Sequence, residues 1–434
     1  MNTTIRKTYL HWWPIYMVER LQFGIIGIKG QQRFDKQERY YFMKRIRIWF
    51  GLIILVLGIA LATGFYFRSP RSFDPPKEII KPNSVNQISL ILELKDTSSV
   101  EFASNTDGSL LAIGGESGVA IWDIIKGKKL EFLKHISGGL FSRPVESIRA
   151  IALSPNGELL ASASFEERVE FAKLGSLKLW DIEDGSLIRE IAHDLVVGDI
   201  AFDPTSSLLA YSEINLHNSN KIHIVDINAN QETATFDSVS LVDKITFNSD
   251  GTLLAYPNGT DVELWQLETH EQRMLVGRSG IPLWSVNFSP DGRLLVAWGP
   301  YNTALVWDVE TGLILYALKD HDLRINRVIF NSDATLIASC SDDNTIRLWD
   351  AQNGDVLMIL MGHGERVSSI DFSPDNEMLV SGSWDRTVRL WDISNGDELR
   401  LLQDDSVIFN VIFSDDGKLI VASSELGTKF WGIK

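Results

Sequence analysis

Residues 361–393 read MGHGERVSSIDFSPDNEMLVSGSWDRTVRLWDI, and their pattern decides the architecture. Residues 367–372 form a short apolar run in which Ile370 and Phe372 stand two apart. The turn SPDNE follows. Residues 378–383 are a second run, Trp384-Asp385-Arg386 a second turn, and residues 387–391 a third run closing on Trp391-Asp392. A fourth run, 398–402, follows the turn Asn395-Gly396. Runs of about five residues rich in Val, Ile, Leu and Trp, cut by Pro, Asp, Asn and Gly, read as strands of an antiparallel meander.

The pattern recurs along the chain. The place of Trp391 is also filled by Trp122, Trp180, Val225, Trp265, Trp307, Trp349 and Trp431, and successive intervals are 58, 45, 40, 42, 42, 42 and 40 residues. The run Gly362-His363, then SIDFSPD, LVSGSWD and TVRLWD, resembles the WD40 repeat, whose period is about 40–45 residues with four strands per propeller blade. The resemblance covers roughly residues 86–434. It implies an all-β fold, an eight-bladed WD40 β-propeller. Residues 87–95, QISLILELK, match the fourth strand of other repeats, and the chain ends at Lys434 just after the third strand of unit eight. The N-terminal strand is therefore expected to close the last blade, near residues 428–431, leaving no free edge at the seam.

Ahead of the propeller, residues 1–48 form a basic, aromatic-rich segment in which Trp12, Trp13, Tyr16 and Phe23 suit a bilayer interface. Residues 49–67, WFGLIILVLGIALATGFYF, carry no charge. As a helix they would span roughly 28 Å, about the thickness of the hydrocarbon layer. A single transmembrane α-helix is expected there. Ala60-Leu61-Ala62 resembles a signal-cleavage site, but the apolar run continues past it and begins far from Met1, so an uncleaved anchor is the better reading. Lys and Arg number six in residues 31–48 and four in residues 68–85, which places the N-terminus in the cytoplasm and the propeller outside. Residues 68–86 hold four prolines and read as a semi-stiff linker.

Charge divides along the same boundary. Residues 1–48 hold ten Lys and Arg against three Asp and Glu, a net +7; residues 68–434 hold thirty-one against fifty-four, a net −23. An acidic propeller argues against nucleic acid as a partner. The single cysteine, Cys340, excludes an intramolecular disulfide and reads as a small core residue.

The resemblance implies a buried hydrogen-bonded tetrad in each well-formed blade: a His before the first strand, a Ser in the second, an Asp in the next turn and the Trp of the third. Unit seven supplies His363, Ser383, Asp385 and Trp391, and unit six His321, Ser341, Asp343 and Trp349. The other units are expected to lack the full set. His, Asp and Ser together mimic a hydrolase, but repetition in adjacent blades with a Trp partner points to satisfied buried polar groups. The chain has no G-x-S-x-G, P-loop or H-E-x-x-H motif, so no catalytic residue, metal ligand or cofactor is assigned.

Binding anchors are placed by register. Arg324 and Arg366 lie six residues before Phe330 and Phe372; Trp284 and Phe409 lie four before Phe288 and Phe413. Trp384 precedes Asp385, and Tyr301 takes the Asp place in unit five. Aromatic and Arg side chains are the usual interface anchors. They define a candidate protein- or peptide-binding face on blades five to eight, with the long loops 134–147, 165–175 and 213–221 on the same rim. The function expected is a membrane-anchored scaffold. The competing reading is an extracytoplasmic propeller enzyme or small-ligand sensor that uses the central channel, which convergent carboxylates or histidines in that channel would favour.

Overall fold

The computed structural model describes residues 72–95, 101–115, 118–135, 146–167, 173–193, 195–215, 219–275 and 280–434. The basic segment 1–48 and the apolar run 49–67 lie outside the described residues, as do most of loop 134–147 and the centres of loops 165–175 and 213–221. Among the described residues no helix is long and apolar enough to cross a membrane.

Those residues form eight four-stranded antiparallel sheets. Seven are meanders of consecutive strands; blade seven, for example, runs Val367–Phe372, Met378–Ser383, Thr387–Asp392 and Glu398–Gln403. The eighth joins Ile408–Phe413, Leu419–Ser424 and Gly427–Ile433 to the distant strand Ile88–Lys95. Ile88 pairs with Ile433 and Leu94 with Thr428, with a register shift between Leu90 and Leu92. One hydrophobic cluster fills each gap between neighbouring sheets, including the gap from blade eight (Leu92, Leu419, Phe430) to blade one (Leu111, Ile113, Trp122). The sheets therefore close a ring. Second strands lie between two neighbours and are buried on both faces, as in Met378–Ser383; outer strands such as Glu398–Gln403 carry exposed residues. Cys340 is buried in the gap between blades six and seven.

One turn geometry joins the first two strands of every blade. The side chain of Ser373 accepts the Met378 N–H at 2.9 Å, and the Asn376 N–H bonds back to the Ser373 carbonyl. Ser154, Ser289 and Ser414 repeat this through their hydroxyls, Asn105, Asn248 and Asn331 through their amide oxygens, and Asp203 through its carboxylate. Each side chain mimics a backbone acceptor and holds the turn while the chain reverses.

The expected linker 68–86 is corrected over residues 72–86, which pack against the propeller. The Phe73 N–H donates to the Gly127 carbonyl at 2.7 Å, and its ring packs against Trp122 and Phe430 with centroids 5.9 and 5.7 Å away. Gly127 has φ of +59°, and a Cβ there would meet the Phe73 carbonyl oxygen at 2.1 Å, so the contact needs glycine on both counts. Further along, the Ile80 N–H donates to the Gly417 carbonyl, and Ile80 and Val85 are buried with residues of blades seven and eight. The prolines stiffen a strap laid across the seam, and its apolar residues are what hold it down.

Candidate functional site

The buried polar sets differ from expectation in their serine. In blade seven the Trp391 Nε1–H donates to Ser381 Oγ at 2.8 Å, and Ser381 Oγ lies 2.8 Å from His363 Nε2. His363 Nδ1 faces Asp385 Oδ2 at 2.9 Å. An ionised carboxylate only accepts, so Nδ1 carries the imidazole hydrogen and Ser381 donates to Nε2. Blade six repeats the chain through Trp349, Ser339, His321 and Asp343. Ser383 and Ser341 are therefore not the tetrad serines. A strand alternates faces with period two, so residues 381 and 383 share a face and sequence spacing cannot separate them. Pairing does. Trp391 lies opposite Leu379, so its indole reaches the nearer hydroxyl, Ser381. Ser383 Oγ caps the corner instead, accepting the Asp385 N–H at 3.0 Å and donating to the Glu365 carbonyl; Ser341 does the same beside Asp343.

Blade two carries the Trp–Ser–His part of such a set. Trp180 Nε1–H donates to Ser162 Oγ, which lies 2.6 Å from His135 Nε2. The 58-residue interval to Trp180 hid it by displacing the expected histidine. In blades one and five the tryptophans are present without the serine. Ile113 and Ala297 take its place, and the buried Trp122 and Trp307 indole N–H groups have no partner among the described residues.

These sets are built for stability. Ser381 is fully buried and its oxygen is held by Trp391, which removes it from any substrate. Burial opposes ionisation of Asp385, but the hydrogen bonds from His363, Thr387 and Gly364 outweigh it and hold the carboxyl well below the usual range. Burial lowers His363, with Asp385 pulling the other way. Burial and the charge of Lys178 push His135 down to about 3. In blades six and seven, neutral imidazole between Ser and Asp is the state that completes the chain. Among the described residues no group of His, Cys, Asp and Glu could hold a metal ion.

The candidate binding residues separate into two places. Arg366 lies over Trp384, its Cζ 3.1 Å from the ring centroid, and Arg324 lies over Trp284 at 5.6 Å. Neither guanidinium makes an ion pair or hydrogen bond among the described residues. Arg324 does lie near Asp243, whose carboxyl burial raises while Arg149 and Arg324 lower it. Trp384 is 38% exposed and Tyr301 52% exposed, so both reach solvent on the rim. Phe409 is different. It is the extra residue where pairing shifts between Ile408 and Asn410, and it points into the central cavity.

The repeat model "WD domain, G-beta repeat" matches residues 312–350 and 354–392. Transducin beta-like protein 3 of Rattus norvegicus is 27% identical over 195 residues, 43% of this chain and 23% of that protein. WD repeat-containing protein SL1-17 of Schistosoma mansoni is 30% identical over 170 residues, 38% of this chain and 52% of that protein. The chain thus spans about a quarter and about half of these relatives. The crystal structure of the C-terminal WD40 domain of Sif2 superposes with a TM-score of 0.66 at 18% identity, covering 80% of this chain and 98% of that one. Matching repeats, WD-repeat relatives and a shared propeller architecture agree: the chain carries WD40 repeats on a β-propeller fold.

Proposed function

We propose that the protein is a membrane-anchored scaffold whose propeller binds an acidic segment of a protein partner on the rim of blades five to eight. WD40-repeat proteins generally mediate protein–protein interactions. The observation that carries the rim reading is the pair of cation–π contacts, Arg324 over Trp284 and Arg366 over Trp384. An Arg held over an indole, its guanidinium without another polar partner among the described residues, can still offer N–H groups that grip a carboxylate with two hydrogen bonds. These two cations stand on a domain of net −23, so an acidic segment would find its complement there and little elsewhere. The anchor is the uncharged run 49–67, with the +7 segment on the cytoplasmic side.

The test compares partner binding by the wild type, by Arg324→Ala/Arg366→Ala and by Trp384→Ala, after their melting temperatures are shown to match. Truncating a true anchor costs about 2 kcal/mol, roughly 30-fold in affinity. Partners captured from native membranes should fall away from the double Arg variant and return with Arg366→Lys only in part, since an ammonium keeps the charge and loses the fork. Equal affinity across all variants rejects the rim.

A further inference from the structure

The central cavity, about 850 Å³, is of the size that small molecules occupy, about 300–1,000 Å³. Its walls are the innermost strands, and strand pairing assigns each blade one lumen-facing residue at a shared level. In blade six that residue is Arg327, just before Val328, which pairs with Ser339 of the tetrad. Ser369 and Asn410 hold the level in blades seven and eight. Glu101, Asp199 and Lys244 hold it in blades one, three and four, by the same register. Ala150 and Ser285 complete the ring, and all eight residues line the one cavity.

The ring is divided by sign. Carboxylates stand on blades one and three and cations on blades four and six. Arg327 is held in place, its Nη1–H groups donating to Asn410 Oδ1 at 3.1 Å and Ser369 Oγ at 3.4 Å. One Asp199 oxygen accepts the Ile245 N–H at 2.9 Å. The Glu101 carboxylate and the Lys244 ammonium make no hydrogen bond or ion pair among the described residues. Ala150 and Ser285 show that a blade closes without any charge at this level.

We propose that the ring binds a small zwitterion, its carboxylate set against Lys244 and Arg327 and its ammonium against Glu101 and Asp199. The proposal stands apart from the rim reading and uses none of its residues. Holding these charges is costly. Burial pushes Glu101 up to about 7 and Asp199 up to about 6, and it lowers Lys244. Arg327 and Asp199 also tie neighbouring blades together, but the costly charges of Glu101 and Lys244 hold no blade to another, and such charges are characteristic of a binding site. A ligand bearing both signs would satisfy both halves at once, whereas a simple anion or cation would satisfy one and meet repulsion from the other.

The experiment is calorimetric titration of the full chain with glycine, β-alanine, γ-aminobutyrate and ε-aminocaproate, and with butyrate and butylammonium as single-charge controls. At least one ω-amino acid should bind saturably, and both controls should bind at least about ten-fold more weakly. Lys244→Met and Glu101→Gln should each weaken the best binder by at least about ten-fold, while Arg324→Ala leaves it unchanged. Unliganded melting temperatures at or above the wild type would show both variants folded, as expected when a costly charge is removed. Failure of all four amino acids to saturate overturns the proposal. So does butyrate binding as tightly as γ-aminobutyrate, or full affinity in a folded Lys244→Met variant. Loss of partner capture in Arg324→Ala with this binding intact would separate the two sites.

Discussion

Ser381 and Ser383 look alike in sequence, yet the first bridges Trp391 to His363 and the second ties a corner to Glu365. Removing Ser381 strands two buried nitrogens, so Ser381→Ala should cost about 2 kcal/mol in urea unfolding, and Ser383→Ala about 1 kcal/mol. Equal losses would reject the assignment. The same set makes stability depend on pH with a definite sign. His363 and Asp385 both have folded-state values below their unfolded ones, so the unfolded chain binds protons first as pH falls. Their contribution is complete above about pH 6.5 and declines below it, first through the histidine and then through the carboxylate. A His363→Gln/Asp385→Asn variant should unfold earlier at pH 7 and lose less than the wild type between pH 7 and pH 4; urea midpoints across that range check it. Period-two alternation made the shared face legible and left the choice of hydroxyl to the pairing register.

At the scale of elements, the closing strand and the strap decide whether the ring holds. Deleting residues 88–95 would leave Gly427–Ile433, buried along its whole length, as an open edge. The deletion should aggregate, as judged by light scattering of the purified chain. The strap is probed more finely by Gly127→Val. The left-handed backbone and the close Phe73 carbonyl both oppose any side chain there, so the variant should melt lower and yield to protease within residues 72–80. A wild-type proteolysis pattern would show that the strap contact is dispensable. The four prolines of 68–86 were legible as stiffness. That Phe73, Ile80 and Val85 of this stretch are buried was not, because four scattered apolar residues carry no period until a surface exists to receive them.

At the scale of the whole molecule, charge and hydropathy divide the chain into a +7 segment, an uncharged run and a −23 propeller. The proposed topology is tested by single cysteines at Thr3 and Ser72 and an impermeant thiol reagent on intact cells. Cys340 will stay silent, since it is fully buried and burial pushes its thiol up to about 12. Label at Ser72→Cys before lysis, and at Thr3→Cys only after it, is the expected result; the reverse places the propeller in the cytoplasm. The sequence alone determined the number of blades, their strands and turns, and the aromatic at the centre of seven of them. Those features are local, written in runs of about five residues and a near-constant interval, so each is complete within one repeat. The tertiary structure alone decided which hydroxyl the tryptophans use, that blade two holds a Trp–Ser–His triplet, and that Glu101, Asp199, Lys244 and Arg327 meet in one cavity. Those residues stand up to 226 positions apart, from 101 to 327, and no period links their charges. They meet because closing the ring brings every innermost strand to a common axis.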